Sequence, residues 1–290
     1  MREFEGSLTK RLVGHSGPVY ACKFMYPDCQ RLLVSVSQDG TARLWSLDTF
    51  SCLVAYRGHS LPVWDLDVAP LGVGPYFVTA SADRTARLWS TNQIHALRIF
   101  SGHLSDVDAV RFHPNGNYVV TGSSDKTCRM WDVQSGACVR IFTGHARAIT
   151  AVAVSPDGRL LASADQAGQV RLWDLAEGRL VRAFEASPLT APHPPKGGSP
   201  SGDKPAAREA SCIYTLEFDR DGRLLASAGA DQAVTLWDVA KLVATNVVLS
   251  PEEACLSSYR TKQTPVLRLC FTYRNVLLGA GPFSPTPASL

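Results

Sequence analysis

The sequence lacks a long apolar run, a cysteine pair at metal-ligand spacing and a block of like charge. Each absence removes a class of function. No stretch approaches the roughly 18 to 20 apolar residues that span a bilayer. The opening MREFEGSLTKRLVGH carries no apolar core of the kind a secretory signal needs. Net charge is only +3 over 290 residues and is spread along the chain, so no basic face for gripping nucleic acid is expected. The eight cysteines (Cys22, Cys29, Cys52, Cys128, Cys138, Cys212, Cys255, Cys270) form no CxxC and fall mostly in apolar, strand-like segments. They read as free structural thiols of a reducing compartment, and the chain as a soluble protein of cytoplasm or nucleus. No metal and no cofactor is expected. Helical periodicity is also missing: residues 1–185 hold no sustained 3.6-residue pattern.

What is present is a repeat. Trp45, Trp89, Trp131, Trp173 and Trp237 stand 44, 42, 42 and 64 residues apart. Gly-His pairs at Gly14-His15, Gly58-His59, Gly102-His103 and Gly144-His145 follow intervals of 44, 44 and 42. One unit reads Gly-His, an alternating strand, a polar turn, a second strand, an Asp-containing turn, then a strand ending in Leu-Trp. Turns such as HPNG, SPDG and DRDG punctuate the strands. A period of about 40 to 45 residues with this signature resembles the WD-repeat β-propeller family, an all-β fold. Such a sheet cannot bury both faces alone, and stacking the units covers them.

The resemblance also gives roles to polar residues. In that family a histidine, a strand hydroxyl, the turn aspartate and the tryptophan form a buried hydrogen-bonded set in each blade. Here the sets would be His15, Ser37, Asp39 and Trp45; His59, Ser81, Asp83 and Trp89; and His103, Ser123, Asp125 and Trp131. His145 with Trp173, and Asp231 with Trp237, continue the series. A Ser/His/Asp trio invites a hydrolase reading, yet one beside a tryptophan in every repeat reads as a structural clamp. His103→Ala is therefore expected to lower stability without loss of an activity.

The pattern then decays. Ala167 stands where the fourth repeat needs its aspartate, with Asp165 two residues earlier. In the fifth, Gly229 replaces the serine and Glu209 the histidine. The added length before Trp237 is ASPLTAPHPPKGGSPSGDKPAAREA, with six prolines, so residues 187–209 read as a disordered insertion between blades. Its Ser187-Pro188 and Ser199-Pro200 are candidate phosphorylation sites. AKLVATNVVLSPEEACLSSYR lacks a repeat signature and reads as partly irregular or helical. TPVLRLCF and NVLLGAG read as two further strands. The expectation is a propeller over 9–286, with five clear blades and one partial blade, between flexible tails at 1–8 and 287–290. TKRLVG near the start reads as an outermost strand sharing the partial blade.

Several blocks go beyond the repeat: GHSGPVYACKF, GHSLPVWDLDV, LRIFSGHLSDVDAVRFHPNGNYVVTGSSDKT, GACVRIFTGH and the tail TKQTPVLRLCFTYRNVLLGAGPFSP. Together they resemble the WD-repeat TBP-associated factors of TFIID and SAGA. Members of that family carry helical N-terminal regions and seven blades, and this chain begins where the second blade would. The resemblance implies a non-catalytic scaffold in the nucleus, docking histone-fold TBP-associated factors and other TFIID or SAGA subunits for RNA polymerase II transcription. It implies no direct nucleic acid, membrane or small-molecule partner.

Contacts would use the loops before each first strand and between the middle strands, where Leu61, Arg84, Asp106, Lys126 and Arg147 lie. Tyr20, Trp64 and Tyr214 share one place early in the innermost strand, as binding anchors or as packing against the next blade. A ubiquitin-ligase substrate receptor is the rival reading. It needs a cluster of top-face arginines and an F-box-like helical region, for which Arg84 and Arg147 alone are thin.

Overall fold

A computed structural model describes residues 10–26, 30–186, 212–244, 254–261, 264–272 and 274–281. The insertion at 187–209, the serines within it, Glu209 and both tails lie outside the described residues. The chain divides into two compact units, Met1–Thr121 with Met130–Val139, and Gly122–Arg129 with Arg140–Leu290.

Antiparallel four-stranded sheets, each built from consecutive strands, make up the protein. In the first unit β1 (Val19–Met25), β2 (Leu32–Ser37), β3 (Thr41–Ser46) and β4 (Cys52–Arg57) form the first sheet. β5 (Val63–Val68), β6 (Tyr76–Ser81), β7 (Thr85–Ser90) and β8 (Gln93–Ser101) form the second. The third comprises β9 (Val107–Phe112), β10 (Tyr118–Ser123), β11 (Thr127–Asp132) and β12 (Cys138–Thr143), and the division between units runs through it.

The second unit holds the fourth sheet, β13 (Ile149–Val154), β14 (Leu160–Asp165), β15 (Gln169–Asp174) and β16 (Leu180–Glu185). The fifth is β17 (Ile213–Phe218), β18 (Leu224–Gly229), β19 (Ala233–Asp238) and β20 (Cys255–Arg260), with the short helix α1 (Val239–Val243) before β20. A two-stranded sheet, β21 (Arg268–Phe271) and β22 (Leu277–Ala280), follows. This is the all-β architecture of a WD-repeat propeller, with five four-stranded blades and one two-stranded, partial blade among the described residues.

Two expectations need correction. CLSSYR was read as part of an irregular or helical stretch, yet it pairs with β19 as β20. Alternating Ser257 and Tyr259 opposite Leu236 and Val234 suffices for pairing without a repeat signature. Conversely, Lys10–Gly14 of TKRLVG carry no strand.

The sheets are held by the face of each inner strand. In the first unit Val63 and Leu66 of β5 are buried among Val34, Val36, Ala42 and Leu44 of the preceding sheet. Val107 and Val110 of β9 are buried among Val78, Ala80, Ala86 and Leu88 in the same way. Burying one such side chain contributes about 1.5 to 3 kcal/mol. In the second unit Ile213, Leu216 and Phe218 of β17 join Ala162, Ala164, Val170 and Leu172.

Polar links add register between inner strands. Asp65 accepts the Val110 amide at 3.3 Å and pairs with Arg111, while Asp67 accepts the Phe112 amide at 2.9 Å. Thr215 plays the same part toward the Leu269 amide at 3.3 Å.

The cysteines depart from the expected burial. Cys128 is buried, which pushes its thiol up to about 12. Cys22, Cys52, Cys138 and Cys270 are exposed. Cys52, Cys138 and Cys270 lie in strands as expected, but on the outward side of the pleat, where period-2 alternation sends every second residue, whereas Cys22 stands at the place that buried Val110 and Leu216 fill in β9 and β17.

Candidate functional site

The repeated polar set is best seen in the second sheet. The Trp89 indole donates to Thr79 Oγ1 at 2.9 Å, and Thr79 Oγ1 meets His59 Nε2 at 2.7 Å. His59 Nδ1 lies 2.7 Å from Asp83 Oδ2. The indole can only donate, so the Thr79 hydroxyl passes its proton toward Nε2 and the imidazole donates from Nδ1 to the carboxylate. Burial lowers the His59 pKa despite its bond to Asp83, which favours this neutral form. Burial pushes the Asp83 carboxyl up, but hydrogen bonds from His59 and Thr85 hold it well below the usual carboxylate range. His59, Thr79 and Asp83 hydrogen-bond to one another and to the turn, an arrangement that clamps the histidine loop to the sheet.

The same links recur. The indole of Trp45 reaches Ser35 at 2.8 Å, Trp131 reaches Thr121 at 2.8 Å, Trp173 reaches Ser163 at 2.8 Å and Trp237 reaches Ser227 at 2.9 Å. His15, His103 and His145 contact Ser35, Thr121 and Ser163 at 2.8, 2.7 and 2.7 Å. The hydroxyl linking histidine to tryptophan is thus not Ser37, Ser81 or Ser123, as expected, but the residue two positions earlier. Both positions face the same side of the strand, and only the earlier one sits under the indole.

Ser37, Ser81 and Ser123 instead cap the turn, accepting the amides of Asp39, Asp83 and Asp125 at 3.2, 3.1 and 3.0 Å. Asp39 and Asp125, like Asp83, then accept the amide and hydroxyl of the threonine two residues on. Asp39 also meets His15 Nδ1 at 2.9 Å.

The fourth sheet solves its missing aspartate. Asp165 occupies the place of the turn-capping serine, yet its Oδ2 lies 3.0 Å from His145 Nδ1. Its other oxygen accepts the amides of Ala167 and Gln169 at 2.9 and 3.1 Å. One carboxylate does the work of serine and aspartate together. In the fifth sheet Asp231 accepts the Ala233 amide at 3.3 Å.

The clamp has a consequence for the loops. Ser60 donates to Asp83 at 3.3 Å and Ser81 donates to the Pro62 carbonyl at 2.9 Å, so the loop before β5 is fastened to the turn after β6. Gly58 belongs there because an added Cβ would lie 2.8 Å from Arg87 Nη1 and 3.0 Å from the Trp89 ring. The fastened loop and turn carry the candidate contact residues Leu61 and Arg84. Leu61 is 49% exposed, and Arg84 is exposed with φ of 68°. Glycine fills the corresponding turn positions in the first and fourth sheets, at Gly40 and Gly168, with φ of 74° and 81°. A left-handed arginine costs about 1 to 2 kcal/mol that glycine avoids.

The inner strands β1, β5, β13 and β17 each open with a bulge that leaves one residue unpaired: between Val19 and Ala21, Val63 and Asp65, Ile149 and Ala151, and Ile213 and Thr215. The unpaired residues are Tyr20, Trp64, Thr150 and Tyr214. A bulge re-aims its side chain away from the ladder, which is why the three aromatics stand out of the core.

In the first unit Tyr20 and Trp64 meet with ring centroids 4.9 Å apart and planes tilted by 49°. Tyr20 remains 43% exposed. Packing against the next sheet and exposure are both realised in this pair. Leu104 (77% exposed), in the loop carrying Asp106, was not anticipated, because its place in the repeat is serine in the first two units. Asp106 itself is half-buried. In the second unit Tyr214 is 39% exposed, and Lys126 and Arg147 are exposed, Lys126 again with a positive φ of 70°. The first unit therefore gathers Tyr20 and Trp64 as a pair, and Leu61 and Arg84 on clamped loops of one sheet. Exposed aromatic and aliphatic side chains together with an exposed arginine suit a protein partner rather than a small molecule.

Comparison with known proteins follows the same lines. The family description WD domain, G-beta repeat matches residues 6–46, 50–90, 95–132, 136–174 and 206–238. Transcription initiation factor TFIID subunit 5 of Encephalitozoon cuniculi is 55% identical over 60 residues, 21% of this chain and 10% of that protein. The protein of the same name from Caenorhabditis elegans is 39% identical over 118 residues, 40% of this chain and 17% of that protein. The SAGA complex/transcription factor TFIID complex subunit Taf5 of Schizosaccharomyces pombe is 50% identical over 56 residues, 19% of this chain and 8% of that protein. The chain thus aligns with less than a fifth of each relative's length. With matched repeats over more than half its residues and the Trp–hydroxyl–His–Asp clamp in its sheets, the chain belongs to the WD-repeat family.

Proposed function

We propose that this chain is a non-catalytic scaffold in the transcription initiation machinery, working in the nucleus as part of TFIID, SAGA or both. Its partners are histone-fold TBP-associated factors and other subunits of those complexes, and it needs no cofactor. The observation that carries this reading is its identity of 39% to 55% with TFIID subunit 5 proteins of a microsporidian, a nematode and a yeast. The clamp geometry supports the scaffold half, because repeated trios spent on holding loops leave surfaces rather than chemistry as the product of the fold. The docking surface in the first unit is Tyr20, Trp64 and Leu61 with Arg84 beside them, and Asp106 in the next loop. In the second unit Tyr214, Lys126 and Arg147 contribute.

The test is purification of the tagged chain from nuclear extract with identification of bound proteins. Histone-fold TBP-associated factors are the expected catch, and acetyltransferase subunits alongside them assign the chain to SAGA. Recovery of cullin-ligase components instead overturns the reading in favour of a degron receptor. A Trp64→Ser, Leu61→Ser double variant of unchanged melting temperature should recover at least tenfold less of the same partners, as expected when clustered anchors are removed.

A further inference from the structure

Arg84 is strained where the sheet does not need it to be. Its φ of 68° lies in the left-handed region, at the turn position that Gly40 and Gly168 fill in the first and fourth sheets. The clamp of the second sheet is made by His59, Thr79, Asp83 and Thr85, and Arg84 is in none of its bonds. Arg84 is exposed and has no ion pair among the described residues. Backbone strain kept for a side chain that does nothing for its own fold marks a place where the side chain meets something else.

A leucine stands on either side of it, all three residues lying in the first unit. Ser81 donates to the Leu61 and Pro62 carbonyl oxygens at 3.3 and 2.9 Å, and the Ala82 amide donates to Pro62 at 3.0 Å. The loop carrying Leu61 is thus tied to the turn carrying Arg84. The repeat sets the neighbour on the other side. A Cβ on Gly40 would lie 3.3 and 3.4 Å from the His59 and Leu61 carbonyl oxygens, in the loop that leads into the next sheet. One repeat further on, those loop positions are His103 and Ser105, so the same step brings Leu104 beside Arg84. Leu61 and Leu104 are both exposed.

The surrounding charges select the kind of anion. Asp83 stays ionised despite its burial, through its bonds to His59 and Thr85, and it already faces Arg87 at 3.7 Å. Arg84 is then the cation left for a partner, with the carboxylate of Asp106 in the neighbouring loop. One guanidinium in that setting balances one negative charge, and its fork suits a carboxylate. A phosphate would bring nearly two charges toward Asp106 with a single cation to offset them.

We infer that this surface takes a protein segment with one aspartate or glutamate between apolar side chains, the carboxylate on Arg84 and the apolar groups over Leu61 and Leu104. The inference rests on the docking role proposed above and names the chemistry of what docks.

The test pans a phage-displayed library of short random peptides, none phosphorylated, on the full chain. The pool is first depleted on a Leu61→Ser, Leu104→Ser variant of unchanged urea midpoint, which removes peptides that bind elsewhere. The peptides then recovered on the unaltered chain should share an acidic residue flanked by leucine, isoleucine, phenylalanine or methionine. As synthetic peptides they should bind Arg84→Gly at least tenfold more weakly, and the urea midpoint of that variant should not fall. Replacing the acidic residue by its amide should cause the same loss on the unaltered chain and no further loss on Arg84→Gly. Phosphoserine in its place should bind more weakly than the acid. Recovery of no peptide, of peptides without an acid, or of peptides indifferent to Arg84→Gly overturns the inference. Tighter binding of the phosphoserine form overturns it in favour of a phosphopeptide site. The purification from nuclear extract reads the other question: TFIID or SAGA subunits recovered beside a failed panning leave the scaffold role standing and only this chemistry wrong.

Discussion

The second and fifth sheets have the same strand order and the same register over their first three strands, yet they reach it with different equipment. The second has the whole clamp, and its loop before β5 is tied to the turn after β6. The fifth retains the indole link of Trp237 to Ser227, has Gly229 where Ser81 stands, and has Thr235 where Arg87 lies over Gly58. The shared part, a buried tryptophan hydrogen-bonded to a hydroxyl ten residues earlier inside an apolar sandwich, is what a sheet needs. The part peculiar to the second sheet serves the loops that carry exposed side chains. Architecture and surface are thus specified by separable residues.

That separation can be broken in graded steps. Trp89→Ala and Trp237→Ala should cost alike, about 3 to 5 kcal/mol each in urea unfolding, because both rings are fully buried and both sheets depend on them. A large difference between the two would contradict the shared role. His59→Ala strands a buried carboxylate and a hydroxyl, and should cost about 2 to 3 kcal/mol with no change in the denaturant slope. Gly229→Ser tests the reverse direction. An added Cβ would lie 2.0 Å from the Cys212 carbonyl oxygen, so the backbone must shift, at about 1 to 3 kcal/mol. Serine in this place is harmless only where the preceding loop has been drawn aside, as at Ser81.

Acid should separate the two designs as well. The His59 pKa is lowered in the fold, so the unfolded chain binds the proton first, and stability declines as pH falls below about 6.5. The Asp83 contribution is present above the unfolded carboxylate value of about 3.9 and is lost only as pH falls below it. Melting temperatures between pH 8 and 5 should therefore drop for the unaltered chain and drop less for His59→Ala. The smallest effect belongs to Arg84→Gly. Relief of about 1 to 2 kcal/mol of left-handed cost, less about 0.5 to 1 for the freedom of glycine, leaves a gain of roughly 0.5 kcal/mol. The same change should weaken partner recovery, which is the signature of a side chain kept at the expense of stability.

Much of this was legible in the residues. The Gly-His and Trp spacing gives the repeat, and the repeat gives the strands, because each apolar run is too short and too alternating for a helix. The identity of the linking hydroxyl was not legible from one repeat, since two hydroxyls two apart share a strand face. Comparison along the chain would have found it: Ser35, Thr79, Thr121, Ser163 and Ser227 each precede their tryptophan by ten, whereas the later serine becomes Asp165 and Gly229. β20 was illegible for another reason. α1 and residues 245–253 separate it from Trp237, so the spacing that flags every other fourth strand is lost. The exposure of Tyr20 and Tyr214 depends on a bulge, and no single residue type announces one.

The carboxylates of Asp65 and Asp67 have a bearing on how the chain survives its own synthesis. β9 is the edge of its sheet, and an edge strand offers bare amides to any extended peptide that drifts past. Asp65 and Asp67 occupy the Val110 and Phe112 amides, and they leave the ribosome about forty residues before β9 does. By the time that edge exists, the carboxylates that take up two of its amides are already waiting.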